Sequence, residues 1–171
     1  AGTSGSGNGN GVKCDTNTPQ IINCVIDNVH GDGISDQGTS ENKNGNFSNN
    51  TITRCGANGI DSSGAAQTQG GVQIENNVIL DVGGHALVAN ANDDDRLLGS
   101  QIAIGDATSG NFSNLDEYEN CFTVTAVATT DFVDYANQDY RIRRDSALYK
   151  FDNGLNLGAI QNEDFEFVSV S

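Results

Sequence analysis

The chain has 171 residues, of which 36% are hydrophobic and 6% aromatic, and 23 acidic against 8 basic side chains give it a net charge of −15 at pH 7. Such a charge argues against binding to nucleic acid, whose affinity comes largely from phosphate neutralisation, and against binding to an anionic membrane surface. No apolar run approaches the ~18 residues of a membrane-spanning helix. We therefore expect one domain with no nucleic-acid partner and no membrane insertion.

The first eight residues, AGTSGSGN, are predicted to form a Gly/Ser-rich arm (1–8). The chain contains no Met. We therefore expect Ala1 to be a processed end, left by a cleaved leader, a removed initiator Met or a cut from a longer protein.

Three segments of the chain repeat one pattern. The sequences NCVIDNVHGDGI, NNTITRCGANGI and NNVILDVGGHAL begin at Asn23, Asn49 and Asn76 and agree column by column, and a partial copy begins near Gly9. A period of this length indicates a stacked architecture. The columns predicted to point inward are Ile26, Ile52 and Ile79; Val29, Cys55 and Val82; and Val12, Ile34, Ile60 and Leu87.

Short apolar runs separated by Gly-containing corners are too short for helices and suit short strands. Together with the period they predict an all-β fold, a short parallel β-helix with three strands in each coil. We expect about four to five coils over residues 9–104, followed by a C-terminal strand region and a β cap over residues 105–171.

The Asn residues of the repeat are predicted to be structural. Asn tolerates the left-handed backbone of a tight corner, and its amide can donate to and accept from the coil above. The predicted ladder consists of Asn23, Asn49, Asn50, Asn76 and Asn77.

The pattern N-N-x-I-x-x-x-G-x-x-G-I resembles the right-handed parallel β-helix repeat of pectate-lyase-like proteins. The resemblance implies that Thr51 to Cys55 is a third strand and that the second strands are 20–22, 46–48 and 73–75. The segment 131–161 is similar to segments that close secreted and viral β-helices, through Asp139-Tyr140-Arg141-Ile142, Ser146-Ala147 and Leu157-Gly158-Ala159-Ile160. That similarity implies a cap over the last coil.

The resemblance also implies where an active site would lie, because pectate-lyase-like enzymes act on the outer face of the first strands. The matching positions here are Ser35, Asp61 and Val88, with the corner residues Asp32, Asn58 and His85 alongside. We expect no catalytic cluster, since this set lacks paired carboxylates and an Arg–Lys pair. Asp32, Asn58, Asp61 and His85 remain candidates for binding, and solvated corners are the alternative.

No cofactor is expected, apart from a calcium site in the run Asn92-Asp93-Asp94-Asp95, which supplies oxygen ligands. The alternative for this run is a solvated acidic loop.

Two further features have open alternatives. Cys14 and Cys24 either form a disulfide near the first coil or remain reduced. Arg143 and Arg144 belong to the basic cluster of an acidic chain and are candidates for contact with an acidic neighbouring subunit.

The first coil has no evident cap in the sequence, and an uncapped coil leaves unpaired backbone groups. We therefore expect a non-enzymatic structural subunit of an extracellular assembly or a virion surface, such as a decoration, fibre or tail component, that packs on other protein subunits through this coil. The alternatives are a fragment of a polysaccharide lyase or hydrolase, or a carbohydrate-binding module that contacts a surface polysaccharide.

Overall fold

The computed structural model describes residues 9–15, 19–37, 45–63, 73–88, 101–113, 122–149 and 157–158. These residues form short β-strands with very little helix, as the short apolar runs predict. The strands are β1 (Val12–Cys14), β2 (Gln20–Ile22), β3 (Val25–Val29), β4 (Ile34–Asp36), β5 (Asn46–Ser48), β6 (Thr51–Cys55), β7 (Ile60–Asp61), β8 (Gln73–Glu75), β9 (Asn77–Val82), β10 (His85–Val88), β11 (Gln101–Ala107), β12 (Gly110–Ser113), β13 (Phe122–Thr125), β14 (Phe132–Asp134) and β15 (Asp139–Ile142). One helical turn, α1 (Ala128–Asp131), and one 3-10 turn (Tyr135–Asn137) lie near the C-terminal strands.

The strands stack into three parallel sheets, which makes the molecule a short parallel β-helix. Sheet 1 has the order β1-β4-β7-β10-β12, sheet 2 the order β2-β5-β8, and sheet 3 the order β13-β11-β9-β6-β3. Strands β14 and β15 form a separate antiparallel pair. The second strands implied by the resemblance are confirmed as β2, β5 and β8.

The register of the sheets confirms the predicted inward columns. Ile26 pairs with Ile52 and Ile52 with Ile79, so one residue type stacks through three coils. The other two columns stack in the same way. Most of these side chains are almost fully buried, which gives the helix a continuous apolar interior.

Tight corners in the backbone explain the leading Asn residues. Asn23, Asn49 and Asn76 have φ values of 56°, 55° and 54°, in the left-handed region that Asn tolerates. A second left-handed column lies inside the long strands of sheet 3 and was not predicted. Its members are Asn28, Arg54, Asp81 and Asp106.

The parallel strands continue past the boundary predicted at residue 104. Strand β12 pairs with β10 in sheet 1, and β13 pairs with β11 in sheet 3. The described strands of the helix therefore continue to Thr125.

The C-terminal segment, residues 128–149, packs on the side of the helix. Phe132, Tyr140 and Ile142 form a second apolar cluster with Val78 and Leu80, which point outward from β9. The described residues of this segment cover the outer side of sheet 3, and the predicted cap over the last coil stays a prediction. Val78 and Leu80 are 0% exposed, and an apolar outer face of sheet 3 requires a lateral cover.

Candidate functional site

A polar groove lies on the outer side of sheet 1, where the resemblance placed a candidate site. The groove has a volume of about 410 Å³. Its lining residues come from β1, β4, β7 and the residues that flank these strands: Asn10, Lys13, Gly31, Asp32, Ser35, Gln37, Ala57 and Asp61. Of the predicted binding residues, Asp32 and Asp61 therefore line the groove, whereas Asn58 and His85 do not.

The corner residues beside the groove form a hydrogen-bonded ladder that the sequence analysis missed. The backbone N–H of Asp32 donates to Asn10 Oδ1 at 3.0 Å, and that of Asn58 donates to Asp32 Oδ1 at 3.0 Å. The backbone N–H of His85 donates to Asn58 Oδ1 at 2.9 Å. Each side-chain oxygen thus holds the coil above it, and the structure gives these corner residues a structural role.

The two carboxylates of the groove differ in their surroundings. Burial raises the pKa of Asp32, and the nearby charge of Asp61 raises it further, while hydrogen bonds from Asn58 and Ser35 act in the opposite direction. Asp61 Oδ1 accepts a hydrogen bond from the backbone N–H of Ser63 at 2.9 Å. Asp32 therefore carries its negative charge at some cost in free energy.

The cation of the groove is already paired. Lys13 Nζ lies 3.3 Å from Asp15 Oδ1, and both side chains are more than half exposed. Ser35 pairs with Lys13 between β4 and β1, and it is only 3% exposed. Its Oγ accepts a hydrogen bond from Gln37 Nε2 at 3.3 Å. The groove thus presents two carboxylates whose charge Lys13 does not offset.

The predicted Asn ladder forms inside the helix, but only part of the set takes part. Asn50 and Asn77 are 0% exposed. Asn77 Oδ1 accepts from the backbone N–H and the Nδ2 of Asn50, at 2.9 and 3.0 Å, and Asn77 Nδ2 donates to Phe47 O at 2.7 Å. Asn50 repeats the pattern one coil below, accepting from Cys24 N at 3.0 Å and donating to Ile21 O at 2.9 Å. Asn23, Asn49 and Asn76 instead supply the left-handed corners.

Of the two alternatives for Cys14 and Cys24, the structure has the reduced one. Cys14 belongs to the buried core, whereas Cys24 is an exposed thiol whose Sγ donates to Ile22 O at 3.4 Å. The two side chains belong to different environments, one inside the helix and one on its surface. Cys55 also lies in the core, where burial raises the pKa of its thiol to about 12.

The remaining predicted sites are only partly visible. Asn92, Asp93, Asp94 and Asp95 lie outside the described residues, so the calcium prediction stays open. In the described part of the chain, no three His, Cys, Asp or Glu side chains are grouped to hold a metal ion. Arg143 pairs with Asp145 through two contacts of 3.0 and 2.9 Å, and Arg144 is exposed. Their proposed contact with a neighbouring subunit stays a prediction.

A second polar cluster, which the sequence analysis missed, fixes the C-terminal segment to sheet 3. Arg54 Nε donates to Asp27 Oδ1 at 2.7 Å, and an Arg54 Nη2 hydrogen bond reaches Tyr140 Oη at 2.6 Å. Thr53 Oγ1 shares a hydrogen bond with Tyr135 Oη. Burial raises the pKa of Tyr135 to about 12, and it also raises the pKa of Tyr140.

The N-terminal side of the helix ends in edge strands. Strands β2 and β3 are the terminal strands of sheets 2 and 3. Two large apolar side chains on these strands point outward and are exposed, Ile22 by 46% and Val25 by 41%. The inward Ile21 and Ile26 are only 8% and 6% exposed, so the interior of the first coil is nearly closed.

Stacked parallel sheets, inward apolar columns and corner ladders define a protein of the parallel β-helix class. A family model described as a right-handed beta helix region matches residues 8–143, and the chain belongs to this family. No curated protein and no solved structure gives a significant match. Among the described residues, no helix is long and apolar enough to cross a membrane.

Proposed function

We propose that this protein is a non-enzymatic structural subunit of an extracellular assembly or a virion surface, where it serves as a decoration, fibre or tail component. The observation that carries the proposal is the N-terminal edge formed by β2 and β3. Over the described residues, no strand pairs with their outer sides. An exposed parallel edge beside Ile22 and Val25 is a template for strand addition by another polypeptide.

The partner is a second copy of this chain, stacked head to tail. The helix ends on its other side in β13, the opposite terminal strand of sheet 3. All pairs within the three sheets are parallel, so a copy added in the same direction continues the hydrogen-bonding pattern of the sheet. Head-to-tail contacts of this kind are heterologous and produce fibres or rings.

The geometry of the groove supports a non-enzymatic role. Asp32, a carboxylate that a polysaccharide-cleaving enzyme would use as an acid or base, is engaged in the corner ladder through its Oδ1. Lys13 is paired with Asp15. A general base needs a free position beside the proton that it removes.

The first experiment is sedimentation of the purified chain over a range of concentrations. We expect species larger than the 17.9 kDa monomer that increase with concentration. Ile22→Lys and Val25→Lys introduce charge at the edge and should reduce assembly. Val133→Lys is a matched control, because Val133 is 47% exposed but lies on β14 in the C-terminal segment. A monomer at every concentration, or equal effects of all three variants, would overturn the proposal.

The proposed location is tested on material from the natural source. An antibody to the chain should detect it in the supernatant or in purified particles, at a native mass well above that of one chain. Detection only in the soluble cell extract would contradict the extracellular or virion assignment.

A second candidate function is that of a carbohydrate-binding module or a fragment of a polysaccharide lyase or hydrolase, favoured by the groove on sheet 1. Retardation of the protein in a polysaccharide-containing gel would support binding. New unsaturated ends, detected by ultraviolet absorbance after incubation with acidic polysaccharides, would support the lyase and overturn the non-enzymatic proposal.

A further inference from the structure

The outer surface where sheets 2 and 3 meet is covered in the second coil and open in the first. Along an outward column of sheet 3, Val25 pairs with Thr51 and Thr51 pairs with Val78. Thr51 and Val78 are buried, whereas Val25 is exposed. The adjoining outward column of sheet 2 changes in the same way, because Ser48 is buried and its partner Ile22 is exposed. Two large apolar side chains of the first coil therefore continue a strip that is covered in the next coil.

Leu157 and Gly158 are part of this cover. Leu157 packs with Val78 in the apolar cluster on sheet 3, and Gly158 N donates to Asn76 O at 2.8 Å. A Cβ on Gly158 would lie 2.6 Å from Thr51 Oγ1 and 3.0 Å from Val78 Cγ2, so the glycine backbone lies directly against both residues. The chain thus contacts the third coil at Leu157 and also reaches the second coil at Gly158.

The course of the chain at Gly158 leads toward the first coil. Val25 is the neighbour of Thr51 on the N-terminal side, one strand spacing or ~4.8 Å away. Residues 159–171 follow Gly158 and lie outside the described residues. Extended backbone spans ~3.3 Å in each residue, so the first two or three of them are enough to reach the height of Val25.

The sequence of residues 159–171, which we name the tail, suits an apolar surface. Phe165 and Phe167 flank Glu166, and alternation with a period of two predicts a strand with one apolar face. Such a face gains free energy when it is buried together with other exposed apolar side chains. At the end of the covered strip these side chains are Ile22 and Val25.

We propose that the tail folds back on the outer side of the first coil and covers Ile22 and Val25, with Phe165 and Phe167 as its apolar contacts. The occupant of this surface is a segment of the same chain. The contact goes beyond the proposed stacking of copies and does not depend on it, because a stacked copy would pair with the backbone edge of β2 and β3. The tail covers the outward side chains.

The thiol of Cys24 can report on this contact, since it is exposed and lies between Ile22 and Val25 in the sequence. The experiment measures how fast N-ethylmaleimide alkylates each cysteine of the full chain, by peptide mass spectrometry. It is performed at a dilution where sedimentation shows only monomer. We expect the double variant Phe165→Ser/Phe167→Ser to raise the alkylation rate of Cys24 about threefold or more, because the tail no longer protects it.

The matched control is the double variant Val168→Ser/Val170→Ser, which changes the same tail on the opposite face of the alternating pattern. It should leave the rate at Cys24 unchanged. Slow alkylation of the buried Cys14 and Cys55 in every variant shows that the helix stays folded. Equal rates at Cys24 in the two double variants would overturn the proposal.

A cross-link separates the chain's own tail from that of a second copy. Ser169→Cys places a thiol on the same face of the alternating pattern as Phe165 and Phe167. Mild oxidation with diamide at the same dilution should join this thiol to Cys24 within one chain. Disulfides of Cys24 only between chains would show that a second copy supplies the tail, and that result, like the absence of any link to Cys24, contradicts the proposal. Neither result depends on whether the protein assembles at higher concentration.

Discussion

The outer faces of sheets 1 and 3 belong to the same coils, but the face of sheet 1 is open and that of sheet 3 is covered by the C-terminal segment. On sheet 1 the outward column reads Lys13, Ser35, Asp61 and Val88, and the face holds an open polar groove. On sheet 3 the outward positions include Val78 and Leu80, and the C-terminal segment covers them. Both sheets are parallel and belong to the same stack, and the polar or apolar nature of the outward side chains distinguishes the open face from the covered one.

The difference shows how one repeat can serve two purposes. Inward positions must stay apolar in every coil, because they form a shared interior. Outward positions carry no such constraint, and each face can therefore be adapted to a cover or to a ligand. A substitution in the shared interior should therefore destabilise the stack as a whole, whereas a substitution on one outer face should act mainly on that face.

The largest effect is expected for the buried Asn50–Asn77 ladder, which lies where sheet 2 joins sheet 3. Asn77→Ala removes the acceptor for the N–H and Nδ2 of Asn50 and the donor to Phe47 O, all of them buried. We expect a loss of about 3–5 kcal/mol in the free energy of unfolding, measured with a chemical denaturant. Hydrogen exchange should accelerate on both sheets. The exposed Asn137→Ala is the control, and a loss below ~1 kcal/mol for Asn77→Ala would contradict the structural ladder.

The next effect should be confined to sheet 3. Leu80 points outward from β9 but is 0% exposed, so Leu80→Ala leaves a cavity beneath the C-terminal segment. The expected cost is about 2–4 kcal/mol, with faster hydrogen exchange in residues 128–149. Val88→Ala, at an outward and half-buried position of sheet 1, should cost less than ~1 kcal/mol. Equal costs would mean that the two faces do not differ as described.

A smaller loss in the free energy of unfolding is expected for the polar contacts that hold the C-terminal segment on sheet 3. Arg54→Ala leaves the carboxylate of Asp27, whose side chain is 16% exposed, without its ion pair and removes a hydrogen bond to Tyr140. We expect a cost of about 1–2 kcal/mol after allowance for solvent screening. Arg141→Ala breaks an exposed pair with Asp139 and should change the free energy of unfolding much less than Arg54→Ala. A larger loss for Arg141→Ala would reverse this ranking.

The smallest effect is expected on the outer face of sheet 1, where a substitution should increase the free energy of unfolding. Because the pKa of Asp32 is raised in the folded protein, folding binds protons just above pH 3.8 and stability falls as the pH rises through that region. Asp32→Asn removes the charge and keeps the acceptor, so it should stabilise the protein slightly at pH 7. The gain should disappear below pH ~3.8, where Asp32 is protonated. A variant that is less stable at pH 7 would contradict this assignment.

The coils could be predicted from the sequence because stacking imposes one environment on each column. The inward columns and the strands of sheet 2 follow from this repetition. The left-handed column in sheet 3 could not be predicted, because one of its members, Arg54, has no preference for that backbone. The lateral cover could not be predicted either, since residues such as Tyr140 and Leu80 are far apart in sequence and share no pattern.

The candidate site was predictable in position but not in detail. The alignment brings Asp32, Asn58 and His85 to one corner, as the structure has them. Their ladder and the pairing of Lys13 with Asp15 depend on side-chain directions that a single sequence does not reveal. The choice between a disulfide and reduced cysteines was left open for the same reason, since nearness along the chain does not show that Cys14 points inward.

The connections between the sheets have one further consequence, for protein engineering. Residues 23–24 and 49–50 join sheet 2 to sheet 3 by equally short links, whereas the links from sheet 1 to sheet 2, residues 15–19, 37–45 and 62–72, lengthen from coil to coil. Length changes at this corner leave the stacking of the strands unaltered. Foreign peptides inserted between β1 and β2, β4 and β5 or β7 and β8 would start from strands that are neighbours in sheet 1, ~4.8 Å apart.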